Sequence, residues 1–131
     1  VFVNGHGGNL DAVRGAVGQL VEEGHDVDWV PCAAAGADLH AGRTETSLLL
    51  HLRPDLVHLA RPADGATAPA AALLPRLRAG GVVAVSPNGV LGDPAGASAE
   101  EGRALLEEMV ARVLAVVSSS VEPVETPQVA R

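Results

Sequence analysis

Two short stretches of this 131-residue chain carry side chains able to do chemistry near neutral pH. The first is Asn4-Gly5-His6-Gly7-Gly8-Asn9, which sets a histidine between the apolar run Val1-Phe2-Val3 and the start of a helical pattern. Open α/β folds gather their ligands at that edge of the sheet. Glycines there let backbone approach a ligand and aim helix N-terminal amides at an anion. The spacing matches neither a dinucleotide fingerprint nor a P-loop, and the chain contains no lysine. The same residues also read as a plain tight turn whose histidine bonds the loop. The second stretch is Asp38-Leu39-His40-Ala41-Gly42-Arg43-Thr44-Glu45-Thr46-Ser47, with His40 in a loop and Glu45 five residues later in the first turn of a helix. A neutral imidazole can ligate a metal or carry protons, and a carboxylate can ligate a divalent cation or orient the imidazole. Those are the parts of metal-assisted hydrolysis. The plainer alternative has Asp38 and Glu45 complementing a helix dipole and His40 facing solvent.

These residues need elements to hold them. Val1-Phe2-Val3 reads as a buried strand feeding the glycine turn, and a helix follows from Asn9 or Leu10 to Glu23, with Val13, Ala16, Val17, Leu20 and Val21 at helical spacing and Gly24 as its stop. Val27-Asp28-Trp29-Val30 is a second strand before Pro31, so strand, helix and strand form a right-handed parallel unit. Thr44 to Ser47 caps a short helix through Leu52, ended by Pro54. Arg61 to Pro69 reads as surface loop, and Ala71 to Arg78 supports only a weak helical turn. Gly80-Gly81 releases Val82 to Ser86 as a third strand, and turn formers follow from Pro87 to Pro94. Ser98 and Glu101 make a capping box for the strongest helix, whose stripe is Leu105, Leu106, Met109, Val110, Val113, Leu114 and Val117. One domain is expected over residues 1–118, with 119–131 as a disordered tail.

Composition narrows the function classes. The charge of -7 repels phosphate backbones and anionic membranes, and Phe2 and Trp29 as the sole aromatics provide no stacking platform for single-stranded nucleic acid. Neither nucleic acid nor membrane is an expected partner. No apolar run reaches the roughly 20 residues that span a bilayer, and Cys32 is alone, so a cytoplasmic protein is expected. His25, His51 and His58 have no carboxylate at metal-binding spacing and read as structural or solvated, and Cys32 reads as a small hydrophobe.

Taken in order, the motifs resemble the creatininase family of metal-dependent amide hydrolases. The family carries an Asn-Gly-His-Gly-Gly-Asn turn, here Asn4 to Asn9, and a His-Ala-Gly-x-x-Glu-Thr-Ser segment, here His40 to Ser47. Its closing Gly-Asp-Pro loop is similar to Gly92-Asp93-Pro94, with Ala97, Glu100, Glu101 and Gly102 behind it. The resemblance covers about Val1 to Val117 and implies a three-layer α/β/α sandwich on a mainly parallel sheet, its N-terminal part missing.

By resemblance, His6 is a metal ligand, His40 is the catalytic acid and base, and Glu45 either ligates the metal or holds a metal-bound water. The implied cofactor is one or two divalent ions, with Zn, Fe and Mn all suited to these ligands. Creatininase itself has a carboxylate ligand where this chain has Gly8. The family's Glu-x-His pair and following Asp belong to an N-terminal segment of about one hundred residues that this sequence does not contain. The isolated chain is therefore expected to be inactive. The wording lies nearest a branch that hydrolyses a C–N amide bond in a modified precursor peptide and releases its C-terminal Val-Tyr unit; a homo-oligomer is also implied. Other readings are an amidohydrolase acting on creatinine-like or formamide substrates, a non-catalytic truncated fragment, and an anion-binding module using the Gly7-Gly8 turn.

Overall fold

The computed structural model describes residues 1–58 and 63–120, grouped into two compact units. Most of the expected tail, and the first two residues of the expected surface loop, lie outside the described residues.

The first unit comprises Val1–Ala33 and the chain from Met109 onward. Strand β1 (Phe2–Asn4) runs parallel to β2 (Trp29–Pro31), pairing Phe2 with Trp29, Val3 with Val30 and Asn4 with Pro31. Helix α1 (Leu10–Glu22) connects them, giving the expected strand–helix–strand order. Its end is built by Gly24, at φ +86°, where L side chains are strained. The Gly24 amide donates to the Val21 carbonyl and the His25 amide to Leu20, which closes the last turn in a Schellman motif. Val30 and Val17 are buried, but Phe2 and Val3 remain 50 % exposed. The expectation of a buried first strand is corrected: the sheet has two strands, so β1 carries a ladder on one side only among the described residues.

The second unit, Ala34–Glu108, contains α2 (Arg43–Leu52), α3 (Ala70–Gly80) and the first half of α4 (Ala99–Ser120). Helix α2 is not capped by its own Thr44 to Ser47 run. Gly42 is the N-cap residue and has no side chain to offer, and Asp38 in the preceding loop accepts from the Thr44 amide at 3.1 Å instead. Helix α3 is a full 11-residue helix despite Pro75, longer than the weak turn expected. Its alanines and leucines are strong helix formers that offset the proline's cost, and Leu73 is buried.

Val82 to Ser86 does not form the expected third strand. Val82–Ala84 is a 3-10 turn, and the amides of Ala84, Val85 and Ser86 bond to Gly81 and Val82 carbonyls. No neighbouring strand among the described residues offers this run a ladder, so its backbone is satisfied locally and Val83 is left 74 % exposed. Helix α4 also departs from expectation. Its half-buried face runs Leu105, Leu106, Met109, Arg112, Val113 and Val116, whereas Val110, Leu114 and Val117 are exposed. No described helix is long and apolar enough to cross a membrane.

Candidate functional site

The first motif is a rigid turn. The Asn4 side chain clamps it, donating from Nδ2 to the His6 carbonyl at 3.1 Å while its Oδ1 accepts from the His6 amide at 3.3 Å. Gly7–Asn9 then forms a 3-10 turn that leads directly into α1. The His6 ring lies over Gly8, where an added Cβ would come within 2.7 Å of Nε2. Gly8 is therefore the seat of the imidazole.

The second motif lies in the other unit and brings its two chemical side chains together. His40 is held by antiparallel bridging to Leu91: the Leu91 amide donates to the His40 carbonyl at 2.8 Å. Ala41 follows at φ +52°, the one described non-glycine residue in left-handed backbone, and this turns the chain back toward α2. As a result His40 Nδ1 lies 3.1 Å from Glu45 Oε2, and the Ala41 amide donates to the same oxygen at 2.6 Å. A carboxylate can only accept, so a ring turned to point an Nδ1 proton at Oε2 would keep its lone pair on Nε2. Both side chains are more than half exposed, at 59 % and 51 %.

The third motif supports the second. Gly92 packs against Gly42, where an added Cβ at Gly92 would lie 2.9 Å from the Gly42 Cα, and the Asp38 carboxylate fills the space beside both. Ser47 is fully buried and ties α2 to α4, donating to Glu101 Oε2 at 2.9 Å and accepting from the Ser98 amide at 3.1 Å. The capping box is thus half made: the Glu101 amide donates to Ser98 Oγ at 3.1 Å, but the Glu101 carboxylate goes to Arg43 Nε and Ser47, and Ser47 takes the reciprocal place at the Ser98 amide. Sequence reasoning missed Arg43, Ser47 and Glu101 as a network. The available signal was a serine inside a helix, where it is mildly unfavourable unless bonded.

Two expected outcomes follow from this network. Ser47→Ala leaves the Ser98 amide without its acceptor and removes a donor from Glu101, and destabilises the protein by about 1–3 kcal/mol in denaturant titration; an unchanged midpoint would refute the structural role. The Arg43 and Ser47 hydrogen bonds hold the Glu101 carboxyl below its ordinary value. Its contribution is complete above the unfolded carboxyl's value of about 4.3 and is lost as pH falls through the lower folded value. The difference in thermal midpoint between the parent and Glu101→Gln shrinks accordingly on acidification, and a constant difference would contradict the assignment.

A groove of about 390 Å³ opens beside Glu45, walled by Leu49, Leu56, Val57 and Val90. His58, read from sequence as structural or solvated, also lines it, so the chain returns this histidine to the neighbourhood of the second motif. A second hollow of about 440 Å³ is lined by Asp64, Ser86 and Asn88, but its polar groups bond one another: Ser86 to Asn88 at 2.6 Å and Asn88 to the Asp64 carbonyl at 2.9 Å.

The donor set does not make a metal cage. No group of three or more His, Cys, Asp or Glu side chains converges among the described residues. His6 makes no hydrogen bond through its ring to another described residue, and Glu45 accepts from the Ala41 amide on Oε2, the oxygen that also lies nearest His40. Cys32 is exposed and free.

Comparison with known proteins sets these motifs in context. The family model described as creatinine amidohydrolase matches residues 1–117. The mycofactocin precursor peptide peptidase of Mycobacterium ulcerans is 61 % identical over 110 residues, which cover 84 % of this chain and 44 % of that protein. The protein of the same name from Mycolicibacterium smegmatis is 56 % identical over the same shares. A solved structure named Creatininase Mn superposes with a TM-score of 0.61 at 27 % identity, covering 92 % of this chain and 56 % of that one. The chain thus spans less than half the length of the curated relatives it matches.

Proposed function

This chain belongs to the creatininase family, with its α/β fold, and from that premise we propose that it forms part of a peptidase that hydrolyses a C–N amide bond in a mycofactocin precursor peptide. The observation that carries the reading is the contact of His40 Nδ1 with Glu45 Oε2 at 3.1 Å. A peptide is favoured over a creatinine-like substrate because identity to the peptidases is 61 % and 56 %, against 27 % to the creatininase structure. Release of the C-terminal Val-Tyr unit is part of the same proposal.

His40 is the proton carrier. Its Nε2 lone pair takes the proton of the attacking water as the carbonyl carbon becomes tetrahedral, and returns it to the leaving nitrogen as the C–N bond breaks. Glu45 fixes the tautomer and faces the positive charge that the ring acquires between those steps. Because Oε2 is held by the Ala41 amide and faces His40 Nδ1, we assign Glu45 to orienting the imidazole, with Oε1 left to hold a water. His6 is proposed as one donor to a divalent ion such as Zn, Fe or Mn. One donor does not make a cage, and no further His, Cys, Asp or Glu side chains converge with it among the described residues.

Elemental analysis of the protein, the chain extended upstream and the His6→Ala form of that extension, together with mass spectrometry of the incubated precursor peptide, tests the proposal. The extended form is expected to hold one or two divalent ions, about tenfold or more weakly after His6→Ala, and to cut one peptide amide. A variant that holds as much metal as its parent would remove His6 from the assignment. An uncut peptide with a metal-loaded extended form would remove the peptidase reading.

A further inference from the structure

We propose that Asp38 is the positioning residue of the His40–Glu45 pair, acting through a two-bond clasp to Thr44; this rests on the peptidase reading above. The bonds cross one gap in opposite senses. The Thr44 amide donates to Asp38 Oδ1 at 3.1 Å, and the Asp38 amide donates to Thr44 Oγ1 at 3.4 Å. Both clasped residues are half-buried, whereas His40 and Glu45 are exposed. They stand six positions apart, and between them lie His40, the left-handed Ala41 and the buried Gly42. Glu45 follows Thr44 directly.

The pair does not hold itself in place. A contact between exposed side chains contributes no more than left-handed backbone costs at an alanine. The turn that brings His40 to Glu45 therefore needs its two ends fixed by other groups. At one end the Leu91 amide donates to the His40 carbonyl, and the Leu39 amide donates to the Leu91 carbonyl at 3.2 Å. At the other end Asp38 supplies the acceptor that Gly42 lacks and fixes the first turn of α2, the turn that carries Glu45. The same carboxylate joins the two ends. A Cβ on Gly92 would lie 2.5 Å from Asp38 Oδ2, and one on Gly42 would overlap that oxygen, so the carboxylate occupies the space that both glycines leave. One side chain thus sets the bridging segment, the turn and the helix start at fixed separations. Its bonds go to Thr44 and not to the pair, so it acts on where His40 stands and not on the proton that His40 moves.

The Ala41 amide reports this geometry, because it donates to Glu45 Oε2 at 2.6 Å when the turn is formed. In isotope-labelled protein, Asp38→Ala is expected to speed hydrogen exchange of the Ala41 amide by about tenfold or more and to move its proton resonance upfield as a short bond to a carboxylate is lost. The amide of the buried Leu73 in α3 is expected to exchange as in the parent, which separates a loosened turn from a loosened protein. Asp38→Asn keeps an oxygen for the Thr44 amide, and its Ala41 exchange is expected to stay within about threefold of the parent. Thr44→Val removes the acceptor of the return bond with little change of shape; it is expected to speed the same amide by about threefold, and gives a second reading should Asp38→Ala misfold. In the peptide-cleaving form, Asp38→Ala is expected to lower kcat per folded molecule by about tenfold or more and to leave KM within about twofold, with Asp38→Asn restoring kcat. Unchanged exchange at Ala41 in every folded variant, equal acceleration at Leu73, or Asp38→Asn as impaired as Asp38→Ala would overturn the proposal, the last by assigning the effect to charge. Cleavage at the parent's kcat in Asp38→Ala would refute Asp38 and leave the peptidase standing. An Ala41 amide loosened as expected, with no form cutting the peptide, would refute the peptidase reading and leave Asp38 as the holder of the pair.

Discussion

His40→Gln lowers the rate of amide cleavage by about 10²–10⁴-fold, while the protein remains folded. Glutamine is close in size and keeps the backbone bonds to Leu91, so the loop that presents position 40 has no reason to move. What disappears is a group that can take a proton and return it. Glu45→Gln is expected to cost about 10²-fold or more, by a different route. The amide oxygen of glutamine can still accept from the Ala41 amide, so the left-handed turn at Ala41 persists. It no longer opposes a positive ring with a negative charge, and it can present an amide N–H to Nδ1, which selects the tautomer that leaves Nε2 protonated and unable to act as a base. The double variant is expected to be little worse than His40→Gln alone, because two residues that act as one unit do not contribute additively. Single-turnover rates with the precursor peptide check this. A loss below about tenfold in His40→Gln would exclude general acid–base work there, and full additivity in the double variant would show that Glu45 acts apart from His40.

The pairing of His40 and Glu45 was legible because a loop histidine and a first-turn carboxylate are both confined by the start of one helix. The parallel β1–β2 pair was legible for a similar reason, since a strand, a glycine turn and a 13-residue helix leave the next apolar run few places to go. Val82 to Ser86 was not. An apolar β-branched run carries the same sequence signal whether or not another strand lies beside it, and the ladder partner that decides the outcome is not a property of the run itself. The place of His58 beside the groove was not legible, because spacing in sequence says nothing about two segments folded around one groove. Ser98 and Glu101 were read as a local capping pair, and half of that was correct. The other half went to Ser47 and Arg43, more than fifty residues earlier, because a buried hydroxyl and a guanidinium offered that carboxylate better partners than its own helix terminus. The signature segment around His40 therefore combines two kinds of residue: His40 and Glu45 carry the proposed chemistry, while Arg43 and Ser47 fasten the helix that presents it.

That division makes Gly102 the most consequential structural position outside the chemistry. A Cβ on Gly102 would overlap the Ser47 carbonyl oxygen and crowd the Leu48 amide nitrogen. Both are backbone atoms inside α2, so neither can rotate away, and the methyl fits only if α4 withdraws from α2. Withdrawal stretches the Ser47 bonds to Glu101 and to the Ser98 amide together. Gly102→Ala is accordingly expected to destabilise the protein by about 3 kcal/mol, although alanine is the better helix former by about 1 kcal/mol. Gly8→Ala provides the control. There the added methyl meets the far end of the His6 side chain, which can swing aside, so stability should change by less than about 1 kcal/mol while the ring leaves its seat. Denaturant midpoints of the two variants, with the His6 ring resonances as a second readout, separate the cases. A Gly102→Ala protein as stable as its parent would mean that α2 and α4 tolerate separation, and Ser47 would then lose its role in holding the Glu45 helix in place.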